Sequence, residues 1–534
     1  MKKIFIYLLA LSTVVNLWSC KKSLLDLPSK SSYDYTTFFS TQSALNQAVI
    51  GTYSTLLHDG LWAREYYYIF DLLGDDAKKT TNLGSDLVQL GSYNFNSSQT
   101  EVGELWNSLY RMIFRANVVI DRVNAWNPDS AALYPQLAKQ YIAEARFLRS
   151  YAYFNIVNLW GAAPLITSYD SVVNNHYFPR TPAASIWAFL EGDLSSAIPD
   201  LPVAYDSATD LGRATKGAAT ALLGKTYLYE KKWNLAQTTL AQLTQAPFTY
   251  MLDPSYDDIF SPSNQNSPEN IFHIMNAAWT SWGIGNQYYM FGGQETWGGT
   301  ATHSDRAQEY GFNDWWNTYI TTRAVNAFHY PNPADGVTPY VDPRAYSTFY
   351  GTKASGGDTV YCEQCAGGKI SYPFNAADPQ GDYNWRKYEY YNLVASFGGP
   401  QSSIGGQVIR YADVLLMLAE SYIQQGDFGG TPMGLINQVR QRVGAVPYTT
   451  LGANQTSAMN VLMLERQLEL CGEQSRYFDL VRWGIAQQTI NSERAVEPGD
   501  GTQPFQPKNV LLPIPDVEKD YNPLVASEIN NDWN

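Results

Sequence analysis

Apolar residues recur at three- and four-residue steps along much of this chain. Ile409, Ala412, Leu415, Leu416 and Ala419 fall on one side of a 3.6-residue turn, which predicts a helix over 409–422. The same spacing predicts helices over 43–57, 103–124, 135–159, 184–198, 214–230, 233–245, 433–443 and 457–471. Within 214–246, Leu223-Gly224-x-x-Tyr227 followed by Ala236 and Leu240 matches the two-helix tetratricopeptide template, in which the glycine lets the second helix approach closely. Leu418-Ala419-x-x-Tyr422 with helix 433–443 reads as a second, less regular pair, and Leu148-x-x-Tyr151 as part of a third. Between 247 and 408 the pattern breaks into short segments. Pro-Asn-Pro at 331–333 and Gly-Gly at 292, 298, 356, 367, 398 and 405 mark this stretch as loops, where binding sites usually reside. The expected fold class is mainly α: a tetratricopeptide-like helix-pair scaffold with a loop-rich lobe of irregular structure and short strands.

The amino terminus follows a different logic. Lys2-Lys3 precede an uncharged run from Ile4 to Trp18, which is signal-peptide length and too short to span a bilayer, for which about 20 apolar residues are needed. The run ends in Leu17-Trp18-Ser19-Cys20, which resembles a bacterial lipobox. That resemblance implies cleavage before Cys20 and lipidation of its thiol, tethering a soluble body to a membrane. The net charge is −14, and cleavage removes two lysines and no acid, so the body repels phosphate backbones; nucleic acid is not an expected partner.

The chemistry-bearing motifs are sparse. Beyond Cys20 there are Cys471 and a Cys362-x-x-Cys365 pair flanked by Gly-Gly, which reads as a local disulfide in a surface loop ahead of a redox or zinc site. Gly224-Lys225-Thr226 imitates the end of a phosphate-binding loop, but position 219 is alanine and the run lies inside a repeat helix. Neither G-x-S-x-G nor H-E-x-x-H occurs, and the five histidines are scattered singly, His303-x-Asp305 reading as a loop hydrogen bond. Asp75-Asp76 and Glu101/Glu104 are the carboxylates a glycosidase could use, with a solvated acidic face as the plainer reading. No catalytic residue, metal or cofactor is called for.

What stands out is 15 Trp, 39 Tyr and 22 Phe. Tyr and Trp combine a flat apolar face with a polar tip, which suits sugar rings and leaves their hydroxyls to amides and charged groups. One group is Trp62 and Tyr66, Tyr67 and Tyr68 ahead of Asp75 and Asp76, with Tyr93 and Asn96 beyond. Another is Trp279, Trp282, Tyr288, Tyr289, Trp297, Trp315 and Trp316, interleaved with Asn286, Gln287, Gln294 and Arg306. Trp106, Tyr110 and Trp160 fall on helical faces and read as core. The ligand-contact candidates are Trp62, Tyr67, Asp75, Asp76, Tyr93, Trp279, Trp282, Tyr288, Tyr289 and Trp297.

Several long motifs in order carry a family resemblance. Ile409-Arg410-Tyr411-Ala412-Asp413 running to Glu420, Ile436-Asn437-Gln438-Val439-Arg440-Gln441-Arg442, Glu465-Arg466-x-x-Glu469-Leu470, Arg476-x-x-Asp479-Leu480-x-Arg482-Trp483-Gly484 and Leu512-Pro513-Ile514-Pro515 resemble the SusD/RagB family of outer-membrane lipoproteins. So do Leu25-Asp26-Leu27-Pro28, Ala145 to Tyr151 and Trp160 to Leu165. The resemblance implies a non-enzymatic, surface-exposed nutrient-binding lipoprotein, anchored in outer-membrane lipid through Cys20. Such proteins hold oligosaccharide on aromatic residues and sit as a lid on a SusC-like TonB-dependent transporter, with the repeat helices facing the barrel. A peptide-binding member is the alternative within that architecture, and a surface-tethered hydrolase the alternative outside it. Lys21-Lys22 replaces the acidic export signal common in such lipoproteins, and Asp-Ser/Thr-apolar triplets at 129–131, 170–172, 206–208 and 358–360 resemble their O-glycosylation sites. The expected organisation is a signal peptide over 1–19, a helical region over 20–246, an aromatic ligand-binding lobe over 247–408 and a C-terminal helical region over 409–534.

Overall fold

The computed structural model describes residues 39, 41–80, 83, 85–125, 135–261, 264–275, 295–297, 300–302, 309–310, 317–351, 383–388, 405–496, 503–527 and 533. Its principal helices are α1 (Gln42–Tyr53), α2 (Glu65–Leu72), α3 (Thr100–Asn124), α4 (Pro135–Trp160), α5 (Ala183–Ala197), α6 (Lys216–Tyr229), α7 (Trp233–Ala241), α8 (Tyr411–Gln424), α9 (Gly430–Arg442), α10 (Gln455–Leu470), α11 (Arg476–Arg482) and α12 (Ala486–Val496). Neighbours in sequence pack as pairs, α4 with α5, α6 with α7 and α8 with α9, and successive pairs touch through α5 and α6 and through α7 and α8. The chain is mainly α, on a tetratricopeptide-like helix-pair scaffold.

Local chemistry sets the helix starts. Thr215 accepts a hydrogen bond from the Ala218 N–H at 3.1 Å, and Asn454 and Ser457 cap the start of α10 reciprocally. At the α6–α7 contact, Gly224 has the role its motif predicts. A Cβ there would lie 2.5 Å from Leu240 Cδ2 and 2.6 Å from its Cγ, and Leu240 is fully buried. α2 escaped the periodicity reading because all eight of its residues are buried, so it has no polar face to alternate with the apolar one.

The region 247–408 contributes short strands. β1 (Ala77–Lys79) pairs antiparallel with β3 (Thr318–Ile320), and β2 (Asn270–Ile274) with β4 (Gly406–Arg410). Further two-stranded antiparallel pairs join 163–164 to 180–181, 295–297 to 300–302, 329–331 to 339–341 and 349–351 to 383–385. Ile271, Phe272, Ile320, Phe328 and Trp385 enter the same buried cluster as the helices, which extends from Leu56 to Val525. Gly405-Gly406, read as loop punctuation, instead opens β4. A Cβ on Gly406 would meet the Trp62 ring at 2.4 Å, and one on Gly405 the Ile274 carbonyl at 2.1 Å. The glycines are there for close backbone approach.

Candidate functional site

The signature residues converge on a buried set of ion pairs. β4 ends at Arg410, whose guanidinium reaches Glu269 at 2.7 Å, Glu469 at 2.6 Å and Glu473 at 2.7 Å. Glu469 also holds Arg442, and Arg344 at 3.0 Å. Arg344 continues to Asp342 at 2.8 Å and Glu465 at 2.7 Å, and Glu465 to Arg440 at 2.7 Å. A second run links Lys225 to Asp413, Asp413 to Arg466, Arg466 to Asp479, and Asp479 to Arg482 with Glu420. Burial on its own would raise these carboxyls. Burial does raise Glu269, but at Glu469 the guanidiniums of Arg442, Arg410 and Arg344 override it and hold the carboxyl well below the usual range, as Lys225 and Arg466 do at Asp413. Carboxylates kept ionised inside the protein, with their oxygens already engaged, are scaffold chemistry.

The N-terminal candidates are distributed around this core. Tyr67, Asp75, Asp76 and Tyr93 are 4%, 0%, 2% and 5% exposed, so the structure places all of them in the packed interior. Tyr67 lies against the Tyr68 and Tyr310 rings, and the Tyr93 hydroxyl donates to the Leu73 carbonyl. Asp75 takes Arg476 at 2.6 and 3.0 Å and Arg323 at 3.2 Å; these cations outweigh its burial and hold it below the usual range. Asp76 is pushed up by burial and by the neighbouring Asp75 carboxylate, and accepts from Gln467 at 3.0 Å. Of the other acidic candidates, Glu101 is buried and Glu104 exposed. None of this makes an open pair of carboxylates.

Trp62 differs in being half-buried. It stacks on Tyr66 at 4.7 Å between centroids and 25° between planes, and its Nε1–H donates to the Tyr151 hydroxyl at 2.8 Å. Beside it lies a cavity of about 40 Å³ bordered by Lys225, Arg410 and Asp413, room for water and not for a sugar. Trp106 and Trp160 form a buried edge-to-face pair at 5.0 Å, as core residues should. Trp297 ends strand 295–297, opposite Thr300. Trp279, Trp282, Tyr288, Tyr289, Cys20, Cys362 and Cys365 lie outside the described residues. Among the described residues no group of three or more His, Cys, Asp or Glu side chains could hold a metal ion, and no helix is long and apolar enough to cross a membrane.

The pattern described as SusD family matches residues 268–534, half of the chain. The chain belongs to the SusD family. A second SusD-type pattern, described as starch-binding associating with outer membrane, matches 24–228. Among SusD-family relatives, SusD-like protein P25 of Formosa agariphila is 25% identical over 515 residues, covering 93% of each chain. A SusD superfamily protein from Bacteroides vulgatus superposes with a TM-score of 0.73 at 24% identity, over 93% of this chain and 100% of that one. A protein described as a laminarin-binding SusD-like protein does so with a TM-score of 0.69 at 22% identity, over 92% and 99%.

The sequence reading missed the partners of the signature residues Arg410 and Glu465. Arg410 and Glu269 are 141 positions apart, and Arg344 and Glu465 are 121 apart, so no local pattern joins them. The available signal was the density of Arg and Glu on helices otherwise apolar, since buried charges require partners.

Proposed function

We propose that this SusD-family protein is a non-enzymatic glycan-binding lipoprotein of the bacterial outer membrane. It captures oligo- or polysaccharide outside the cell and passes it to a SusC-like TonB-dependent transporter, with Cys20 as its lipid anchor. The observation that carries this reading is the pair of family patterns, which follow one another over 24–228 and 268–534. Relatives of the same fold described as laminarin-binding and as surface glycan-binding protein A support the ligand class. The binding platform in this reading is the aromatic set Trp279, Trp282, Tyr288, Tyr289 and Trp297. Tyr67, Asp75, Asp76 and Tyr93 are buried and hold the fold together. In particular, Asp75 ties Arg476 to Arg323, and Thr321 donates to the Asp75 carbonyl at 2.7 Å.

Contact through ring faces and hydroxyls binds sugar without activating it. Native gels containing starch or laminarin, run with the mature chain, test this directly. At least one polysaccharide should retard the protein, and the sugar should be recovered uncut. Absence of retardation by any glycan, together with binding of peptides, would replace this reading with peptide uptake. Recovery of a large TonB-dependent barrel with the tagged protein from detergent-solubilised outer membranes tests the partner.

A further inference from the structure

Three helix ends meet the outer side of α10. α6 stops at Tyr229, and Lys231, at φ 61°, turns the chain so that Trp233 opens α7. α8 stops at Gln424 ahead of Gly426 at φ 89°, and α11 stops at Arg482, with Trp483 and then Gly484 at φ 74°. Facing them, Thr456, Met459, Asn460 and Met463 follow one another at helical i, i+3, i+4 and i+7 steps, so one stripe of α10 forms a wall. The space enclosed is about 470 Å³, within the ~300–1,000 Å³ range typical of small-molecule sites.

The lining selects a ligand class. Trp233 and Trp483, both half-buried, supply two indoles. Trp483 is held in place, its Nε1–H donating to Glu420 at 2.9 Å and the Arg482 guanidinium 4.7 Å from its ring. Leu228, Met459, Met463 and Ile485 add apolar wall, and the amides of Gln424, Gln455 and Asn460 supply polar groups. Gln455 donates to the Gln424 side-chain carbonyl at 3.1 Å, while Asn460 and Thr456 are exposed. Arg482 is neutralised by Glu420 and Asp479, and no carboxylate is among the described lining residues. Helix C-termini carry partial negative charge, which disfavours an acidic ligand, and Lys231 at the rim disfavours a cationic one. Flat apolar faces beside neutral donors and acceptors fit pyranose rings and their hydroxyls.

We infer that this groove is a second saccharide site, taking a short neutral oligosaccharide on Trp233 and Trp483 with Gln424, Gln455 and Asn460 meeting its hydroxyls. It shares the ligand class of the reading above and none of its residues, so the two sites fail independently. The test uses the full mature chain with maltotriose, laminaritriose and xylotriose, and a neutral tetrapeptide for comparison, followed by hydrogen–deuterium exchange and calorimetry. At least one trisaccharide should protect segments 228–235 and 455–463. Trp233→Ala should weaken that trisaccharide roughly tenfold or more. Because Trp233 also packs on the core, Asn460→Trp provides the control: position 460 is exposed, so the variant should fold with an unchanged melting temperature and simply fill the groove. Protection of these two segments should be lost in Asn460→Trp. Protection by no trisaccharide, protection by the peptide alone, or unchanged affinity in Asn460→Trp would overturn the inference. Polysaccharide retardation with no trisaccharide protection of either segment in the wild-type chain would leave the loop platform standing without the groove.

Discussion

Along α10, Glu465, Arg466 and Glu469 turn inward into ion pairs, whereas Thr456, Met459, Asn460 and Met463 turn outward along the groove. The inward residues are at most 2% exposed, and their charged atoms are engaged by partners from β4, α8 and α9 and by Arg344. The outward residues Thr456 and Asn460 are exposed. The difference separates two kinds of constraint carried by one helix. A buried charge can be replaced only together with its partners, so the inward face fixes the family pattern; the outward face can change its ligand without disturbing the fold.

The broadest way to break this contrast is acid. Glu469, Asp413, Glu473 and Asp479 all have folded-state pKa values lowered by the arginines and lysines beside them, against the opposing effect of burial. Each contributes stability that is present above its ordinary value, 3.8 for Asp or 4.5 for Glu, and is lost as pH falls through its folded value. Thermal melts should therefore show the melting temperature falling steeply below that range. A flat profile down to pH 2 would mean that the pairs contribute nothing.

Next comes Glu469→Ala, which leaves Arg344, Arg410 and Arg442 short of a partner. Urea unfolding should show a loss of ~3–5 kcal/mol, or a chain that does not fold, in keeping with the removal of one member of a buried pair. Gly224→Ala should cost less. The added methyl must displace the fully buried Leu240 at the α6–α7 contact, for ~1–3 kcal/mol by the same measurement. On the outward face, Thr456→Ala and Asn460→Ala should stay within ~0.5 kcal/mol of wild type. If an outward substitution cost as much as Glu469→Ala, the division between the two faces would be wrong.

The legible parts of the sequence were those with a repeating period or a fixed motif. Helices α3 to α10 announced themselves by the three- and four-residue spacing of their apolar positions, and Gly224 by its place in the repeat. α2 did not, because Glu65 is buried along with its tyrosines; desolvation pushes that carboxyl up to about 8. Asp75 and Asp76 looked like a surface acidic pair because proximity in sequence gives no account of Arg476, 401 positions away from Asp75. Trp233 and Trp483 belong to different motifs and meet only through folding, so the groove had no signature along the chain. Cross-chain pairing of this kind depends on tertiary geometry, which periodicity does not encode.

If sugar is held by aromatic contact and released unchanged, the loop tryptophans carry the affinity and the glycan leaves intact. Calorimetric titration of the retained polysaccharide into wild type and into a Trp279→Ala/Trp282→Ala/Trp297→Ala variant tests it most directly. The variant should lose affinity roughly tenfold or more, with chromatographically intact sugar in both titrations. Equal affinity in the two proteins, or shortened chains after incubation with wild type, would contradict it.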